Sequence, residues 1–155
     1  DCLLSRGLGD VYKRQAEWAL ALLGRCEYAC LGLTDEAQPY CVPVSHVLVD
    51  GCVYFHSNPR GYKAELLAQN PRVCLTAVAD VHAIPMRFTT EYSSAIAFGT
   101  ARLVHDPAER RRALSAICEK YAASNPHREK CAANAGPETA VYCVEIESIT
   151  GKRSE

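Results

Sequence analysis

The sequence predicts a mainly β, α+β domain: about six antiparallel strands with helices between or beside them, a sheet of the kind that can close into a barrel. Three observations carry this. Apolar, β-branched runs of strand length recur along the chain. The pair Asp50-Gly51 separates two of them as a tight hairpin turn. Strand and helix patterns do not alternate regularly, which disfavours a doubly wound parallel sheet. The 155 residues suit one domain able to bury a sizeable core.

Residues 1–15, DCLLSRGLGDVYKRQ, show no sustained periodicity, and Met86 is the only methionine. The segment resembles spurious adapter-derived translation at the ends of metagenomic fragments. It is expected to be a non-native or disordered leader, with residues 16–152 as the single domain. Ala16 to about Arg25 reads as a helix presenting Trp18, Leu22 and Leu23. Tyr28–Thr34 is a short apolar strand, 35–39 a turn, and Tyr40–Val49 one strand that pairs through Asp50-Gly51 with Cys52–His56. Asn58-Pro59 predicts a helix start, with Asn as cap and Pro in the first position, running to about Gln69. Val73–Ala79 and Tyr92–Val104 follow as strands, the second bent near Gly99. Asp106-Pro107-Ala108-Glu109 opens a helix carrying Leu114, Ile117, Cys118 and Tyr121 at helical spacing. The polar, Ala-rich stretch 122–138 reads as a loop or lid, and the alternating Thr139–Ile149 as a final strand.

Composition excludes several classes. With 17 Lys and Arg against 18 Asp and Glu, nothing suggests a large basic surface for nucleic acid. No apolar run reaches membrane-spanning length. The nine cysteines form no CxxC, and several sit in strand-like runs as small buried hydrophobes do. Reduced core cysteines are favoured over metal or disulfide, which points to the cytoplasm. None of Asn58, Asn70, Asn125 and Asn134 begins a glycosylation sequon. The histidines lack zinc spacing, no GxSxG occurs, and Gly151-Lys152-Arg153-Ser154 is no phosphate loop because Ile146 stands where a glycine is required.

Three constellations could carry chemistry. His56, Ser57 and Lys63 bring donors and positive charge to a strand end that feeds a helix N-terminus, a recipe for holding a phosphate. By composition alone, a surface hairpin end with a solvated lysine is slightly favoured. Tyr40–His46 is the second: Val42, Pro43 and Val44 could lay backbone amides beside a flat ring, and His46 could face a substrate as proton donor. A half-buried sheet histidine is the commoner reading. In the third, 87–94, hydroxyls including Ser93 and Ser94 could bond a polar ring or a ribityl chain, or belong to an ordinary turn and strand.

The ordered pieces Tyr40-Cys41-Val42-Pro43-Val44, Val53-Tyr54-Phe55-His56-Ser57, Gly61-Tyr62-Lys63, Asn70-Pro71-Arg72-Val73-Cys74, Tyr92 to Gly99 and Ile146 to Lys152 resemble the pyridoxamine 5′-phosphate oxidase-like flavin-binding superfamily. They look closest to its nitroimidazole-resistance branch. The resemblance spans about residues 17–152 and implies a split β-barrel and a homodimer with FMN at the subunit interface. It implies NAD(P)H-dependent reduction of a small acceptor, nitroaromatics being one class. It assigns the phosphate and its neighbourhood to His56, Ser57 and Lys63, and the isoalloxazine border to Val42, Pro43 and Val44. Ser93 and Ser94 would reach the cofactor from another strand, and His46 would lie near the substrate as the catalytic candidate. Relatives often carry Arg just before the lysine, where this chain has Tyr62. Haem-binding and deazaflavin-binding relatives leave a non-catalytic carrier or sensor as the alternative.

Overall fold

The computed structural model describes residues 2–36, 38–133 and 135–154, with side chains from Val11 onward except at 35, 129 and 131. Asp1 of the expected leader, Ala37 of the expected turn and Asn134 lie outside the described residues. The elements are α1 (Cys2–Arg25), β1 (Ala29–Asp35), β2 (Gln38–Val44), β3 (His46–Val49), β4 (Cys52–Ser57), α2 (Tyr62–Gln69), β5 (Arg72–Ile84), β6 (Thr89–Leu103), α3 (Pro107–Tyr121), α4 (Arg128–Ala133) and β7 (Ala140–Ser154). The helix expected from Ala16 begins at Cys2, so the segment set aside as a leader continues α1; no proline interrupts it. The loop expected at 122–138 contains α4.

Seven antiparallel strands form one sheet in the order β2-β1-β5-β6-β7-β4-β3. The outermost strands are β2 and β3, yet only Ser45 separates them in sequence. Laid flat, six inter-strand spacings would put these edges roughly 29 Å apart. One residue cannot span that distance, so the sheet rolls until its edges meet. The edges are joined covalently but do not pair with each other, which defines a split barrel. The strand expected over Tyr40–Val49 is therefore two strands on opposite edges.

The turn Asp50-Gly51 has both residues at positive φ, 51° and 78°, as a tight hairpin turn requires. The expected bend in β6 falls where predicted: the β6–β7 register shifts between Phe98 and Gly99. A Cβ at Gly99 would lie 2.1 Å from the Glu145 carbonyl oxygen, so only glycine admits this close approach.

Strand alternation divides the interior. Val53 and Phe55 of β4, with Ala140, Tyr142 and Val144 of β7, join Leu31, Leu75, Ala97 and the α1 residues Ala19, Leu22 and Leu23 in the main core. Tyr54, Val141 and Cys143 face the other way and pack with Ala113 and Leu114 of α3 and Ala132 of α4 in a second core. β4 and the first part of β7 are thus covered on both faces. Asp106 caps α3 as expected, accepting from the Glu109 amide at 2.8 Å. The Glu109 carboxylate does not reach back to the cap; it accepts from Tyr54 and Arg102.

Where β2 becomes β3, the end of α3 closes the split. The Lys120 ammonium donates to the backbone carbonyls of Gly24, Cys26 and His46 at 3.1, 2.7 and 2.8 Å. The Tyr121 hydroxyl lies 2.8 Å from the His46 amide and 2.6 Å from the Glu27 carbonyl.

Candidate functional site

The site builds up from β4. Phe55 points into the barrel and stacks on Tyr142, with ring centroids 5.4 Å apart. By alternation Ser57 lies on that same face of β4, while His56 lies on the α3 face and is exposed. After Ser57 the chain turns before it becomes helical. The Asn58 side chain accepts from the Arg60 amide at 2.9 Å, closing an Asx turn. Asn58 therefore does not cap the helix as expected. Gly61 is the cap residue, with no side-chain cap bond, and α2 starts at Tyr62.

This shift puts Lys63 in the first turn of α2, its ammonium 5.5 Å from the centroid of the Phe55 ring. Tyr62 meets Tyr40 of β2 edge to face at 5.0 Å. The N-terminus of α2 thus stands between the two sides of the split, touching Tyr40 on one and Phe55 on the other. Among the described residues, the Lys63 ammonium makes no hydrogen bond or ion pair, and burial pushes its pKa down. A half-buried cation without a counter-charge, beside a helix N-terminus that no side chain caps, has the chemistry to receive an anion. The exposed Arg60 guanidinium, three residues before Lys63, also has no partner among the described residues. Sequence reasoning missed it by looking for arginine only next to the lysine. The Asx turn is what carries position 60 to the same loop.

The remaining predicted residues scatter. Val44 is buried in the main core and Val42 packs against it, whereas Pro43 faces outward on β2. Ser93 is buried beneath the sheet and bonds Asp80, while Ser94 faces the opposite side of β6. One ligand cannot meet both serines from one face. Ser93 lines a cleft of about 270 Å³ with Asp80, His82, Glu91, Tyr92, Arg153 and Ser154. Register places His56 opposite Val141 and Ser94 opposite Lys152 of β7. These points lie roughly 35 Å apart along the strand, so one subunit does not bring Ser93 or Ser94 to the Ser57–Lys63 turn.

His46 does not face solvent. It is fully buried, with its ring Nε2 2.7 Å from the Leu23 carbonyl and no partner on Nδ1. Desolvation lowers its pKa, outweighing the Leu23 bond that raises it, so the ring is neutral and its Nε2–H donates to Leu23. The histidine locks β3 to the end of α1, and the proton-donor role expected of it has no path to solvent within the subunit.

A rolled antiparallel sheet whose covalently joined edges do not pair defines the split-barrel fold. The pyridoxamine 5′-phosphate oxidase family matches residues 15–153, and the chain belongs to it. Solved structures share the fold. A candidate 5-nitroimidazole antibiotic resistance protein from Bacteroides thetaiotaomicron is 24% identical, with a TM-score of 0.71 over 87% of this chain and 81% of that one. An FAD-binding protein from Mesorhizobium loti is 21% identical, with a TM-score of 0.68 over 90% and 95%. The FAD and haem binding protein of Mycobacterium smegmatis is 21% identical, with a TM-score of 0.72 over 90% and 71%. No curated protein matches the sequence. Among the described residues, no helix is long and apolar enough to cross a membrane, and no cluster of His, Cys, Asp or Glu could hold a metal.

Proposed function

We propose that this chain is an FMN-binding flavoprotein that works as an NAD(P)H-dependent oxidoreductase on a small acceptor, nitroaromatics being one class. The observation that carries the reading is the Lys63 ammonium, half-buried over the Phe55 ring and without a counter-charge among the described residues. A flavin phosphate supplies the missing anion. Lys63 gives it positive charge, Ser57 a hydroxyl, and the first turn of α2 its amides. Arg60 takes the part that an arginine at position 62 would play, reaching from the loop. Tyr40 and Val42, half-buried at the split, border the ring system on the β2 side.

The chemistry a bound flavin supplies is hydride acceptance from a reduced nicotinamide and electron delivery to the acceptor. This chain's residues bind, orient and shield, while His46, the predicted proton donor, is sealed in the core. That burial also favours a second reading, a non-catalytic flavin or haem carrier.

A homodimer with the cofactor at its interface belongs to the proposal. Two features support it. Val78, Ile96 and Phe98 project from the outer face of β5 and β6, each more than a third exposed. Ser93 and Ser94 of β6 also pair too far along β7 to meet the Ser57–Lys63 turn of their own subunit. Free thiols throughout the described cysteines fit a reducing, cytoplasmic setting.

The test is a visible spectrum of the purified protein, before and after FMN, followed by NADH and NADPH. A flavin spectrum that bleaches with nicotinamide is expected. A colourless protein that takes up no FMN overturns the proposal, and bound flavin that neither nicotinamide reduces selects the carrier.

A further inference from the structure

The outer face of β1 and β2 carries two cysteines that neither the fold nor the flavin site uses. Leu31 and Leu33 point into the barrel, so Cys30 and Gly32 point out; Val42 and Val44 point in, so Cys41 and Pro43 point out. Register sets Cys30 opposite Pro43 and Cys41 opposite Gly32. The two cysteines are therefore diagonal neighbours on one face of an antiparallel pair. Burial pushes the Cys30 thiol up, and the neighbouring Cys41 thiol adds to that rise. Gly32 stands between Cys41 and Cys74 of β5, and a Cβ there would lie 2.6 Å from the Cys74 sulfur, so Cys74 borders the pair. Cys41 is exposed and Cys30 half-buried.

We propose that Cys30 and Cys41 are a redox-active pair that hydrogen peroxide converts to a cross-strand disulfide. The exposed Cys41 thiolate attacks one peroxide oxygen: an S–O bond forms, the O–O bond breaks, and the departing hydroxide leaves as water with a proton from solvent. Cys41 is then a sulfenic acid. The Cys30 sulfur attacks the Cys41 sulfur: the S–S bond forms, the S–O bond breaks, and a second water leaves with the Cys30 proton. Two thiols and one peroxide give one disulfide and two waters, two electrons passing from sulfur to peroxide. Burial pushes the Cys30 thiol up, which suits it to the resolving role and leaves first attack to Cys41. The bond ties β2 covalently to β1, its neighbour in the sheet, and so pins the edge that borders the split.

The molecule contains its own control. Cys52 and Cys143 occupy the same kind of diagonal on β4 and β7, where Cys52 faces Glu145 and Tyr54 faces Cys143. Cys143 is fully buried and its thiol is pushed up to about 11 by that burial, so this pair has no exposed thiolate to start the reaction.

Full-length protein is treated with hydrogen peroxide, alkylated, and cleaved after glutamate. Cleavage after Glu27 and Glu36 separates Cys30 from Cys41. A peptide holding Cys30 joined to one holding Cys41, two hydrogens lighter than the reduced pair and released by dithiothreitol, is expected. It persists in Cys52→Ser and is lost in Cys41→Ser, where Cys30 stays alkylatable. The proposal is overturned if Cys30 and Cys41 remain alkylatable in the wild type after peroxide. Cys41 crosslinked between chains, or Cys52–Cys143 oxidised first, overturns it equally.

Discussion

Lys120→Met removes the staple that closes the barrel's split, and the structure sets the size of the effect. The Lys120 ammonium donates to three backbone carbonyls, those of Gly24, Cys26 and His46, at 3.1, 2.7 and 2.8 Å. A hydrogen bond from a charged donor contributes about 1.5–3 kcal/mol net. The three are not additive, since one cation serves all of them and carbonyls near the surface regain water when it leaves. Burial also lowers the Lys120 pKa, a mark of the desolvation cost the ammonium already carries. The loss should therefore come to about 3 kcal/mol, the scale of one to two such bonds. In a domain of this size that lowers Tm by roughly 6–12 °C. Methionine keeps the unbranched stem, so the comparison isolates the charge. Urea unfolding followed by far-UV circular dichroism measures it. A change below about 0.5 kcal/mol, the scale of ordinary surface substitutions, would refute the staple and with it the explanation of how β2 and β3 are held edge to edge.

Two further outcomes follow from the packing and the titrating groups. Gly99→Ala drives a Cβ to 2.1 Å from the Glu145 carbonyl oxygen and should cost at least about 2 kcal/mol in urea unfolding; an unchanged midpoint would mean the β6–β7 bulge relaxes freely. His46 has a folded-state pKa below its ordinary 6.5, so the unfolded chain binds its proton more readily. Stability from this group is complete above that value and is lost as pH falls below it. His46→Gln, whose amide can still donate to the Leu23 carbonyl, should unfold with less pH dependence between about pH 7.5 and 5; wild type and variant with equal slopes would remove His46 as the cause.

Local chemistry was legible where one or two residues decide the backbone. Asp50-Gly51 announces a turn that needs two positive φ values, Asp106-Pro107 announces a capped helix, and Gly99 announces the bend, because each rests on short-range sterics or a side-chain bond to the next turn. The break at Ser45 was not legible. Tyr40–Val49 is rich in β-branched residues, and what splits it is distant: Leu23, Lys120 and Tyr121 holding the backbone and ring of His46. Each of these bonds uses a backbone amide or carbonyl, and such a group leaves no mark in a sequence. Asn58-Pro59 misled for a different reason. An asparagine caps a helix and closes an Asx turn with the same side-chain oxygen, and here the turn wins, moving the helix start to Tyr62 and Lys63 to its first turn. The candidate site was half legible: Ser57 and Lys63 share the barrel mouth, but alternation sends His56 and Pro43 to other faces, and the sheet carries Ser93 and Ser94 to its far end.

The Ser57–Lys63 turn is proposed to hold the phosphate of a flavin, and comparing FMN with riboflavin isolates that contact, because the two ligands differ only in the phosphate. Fluorescence titration of the wild type and of Lys63→Ala gives all the affinities needed. The wild type should prefer FMN over riboflavin, and Lys63→Ala should lose roughly 10- to 100-fold in FMN affinity, the scale of one charge-assisted bond, with little change toward riboflavin. Equal wild-type affinity for the two flavins, or a Lys63→Ala variant that still discriminates between them as the wild type does, would contradict the account.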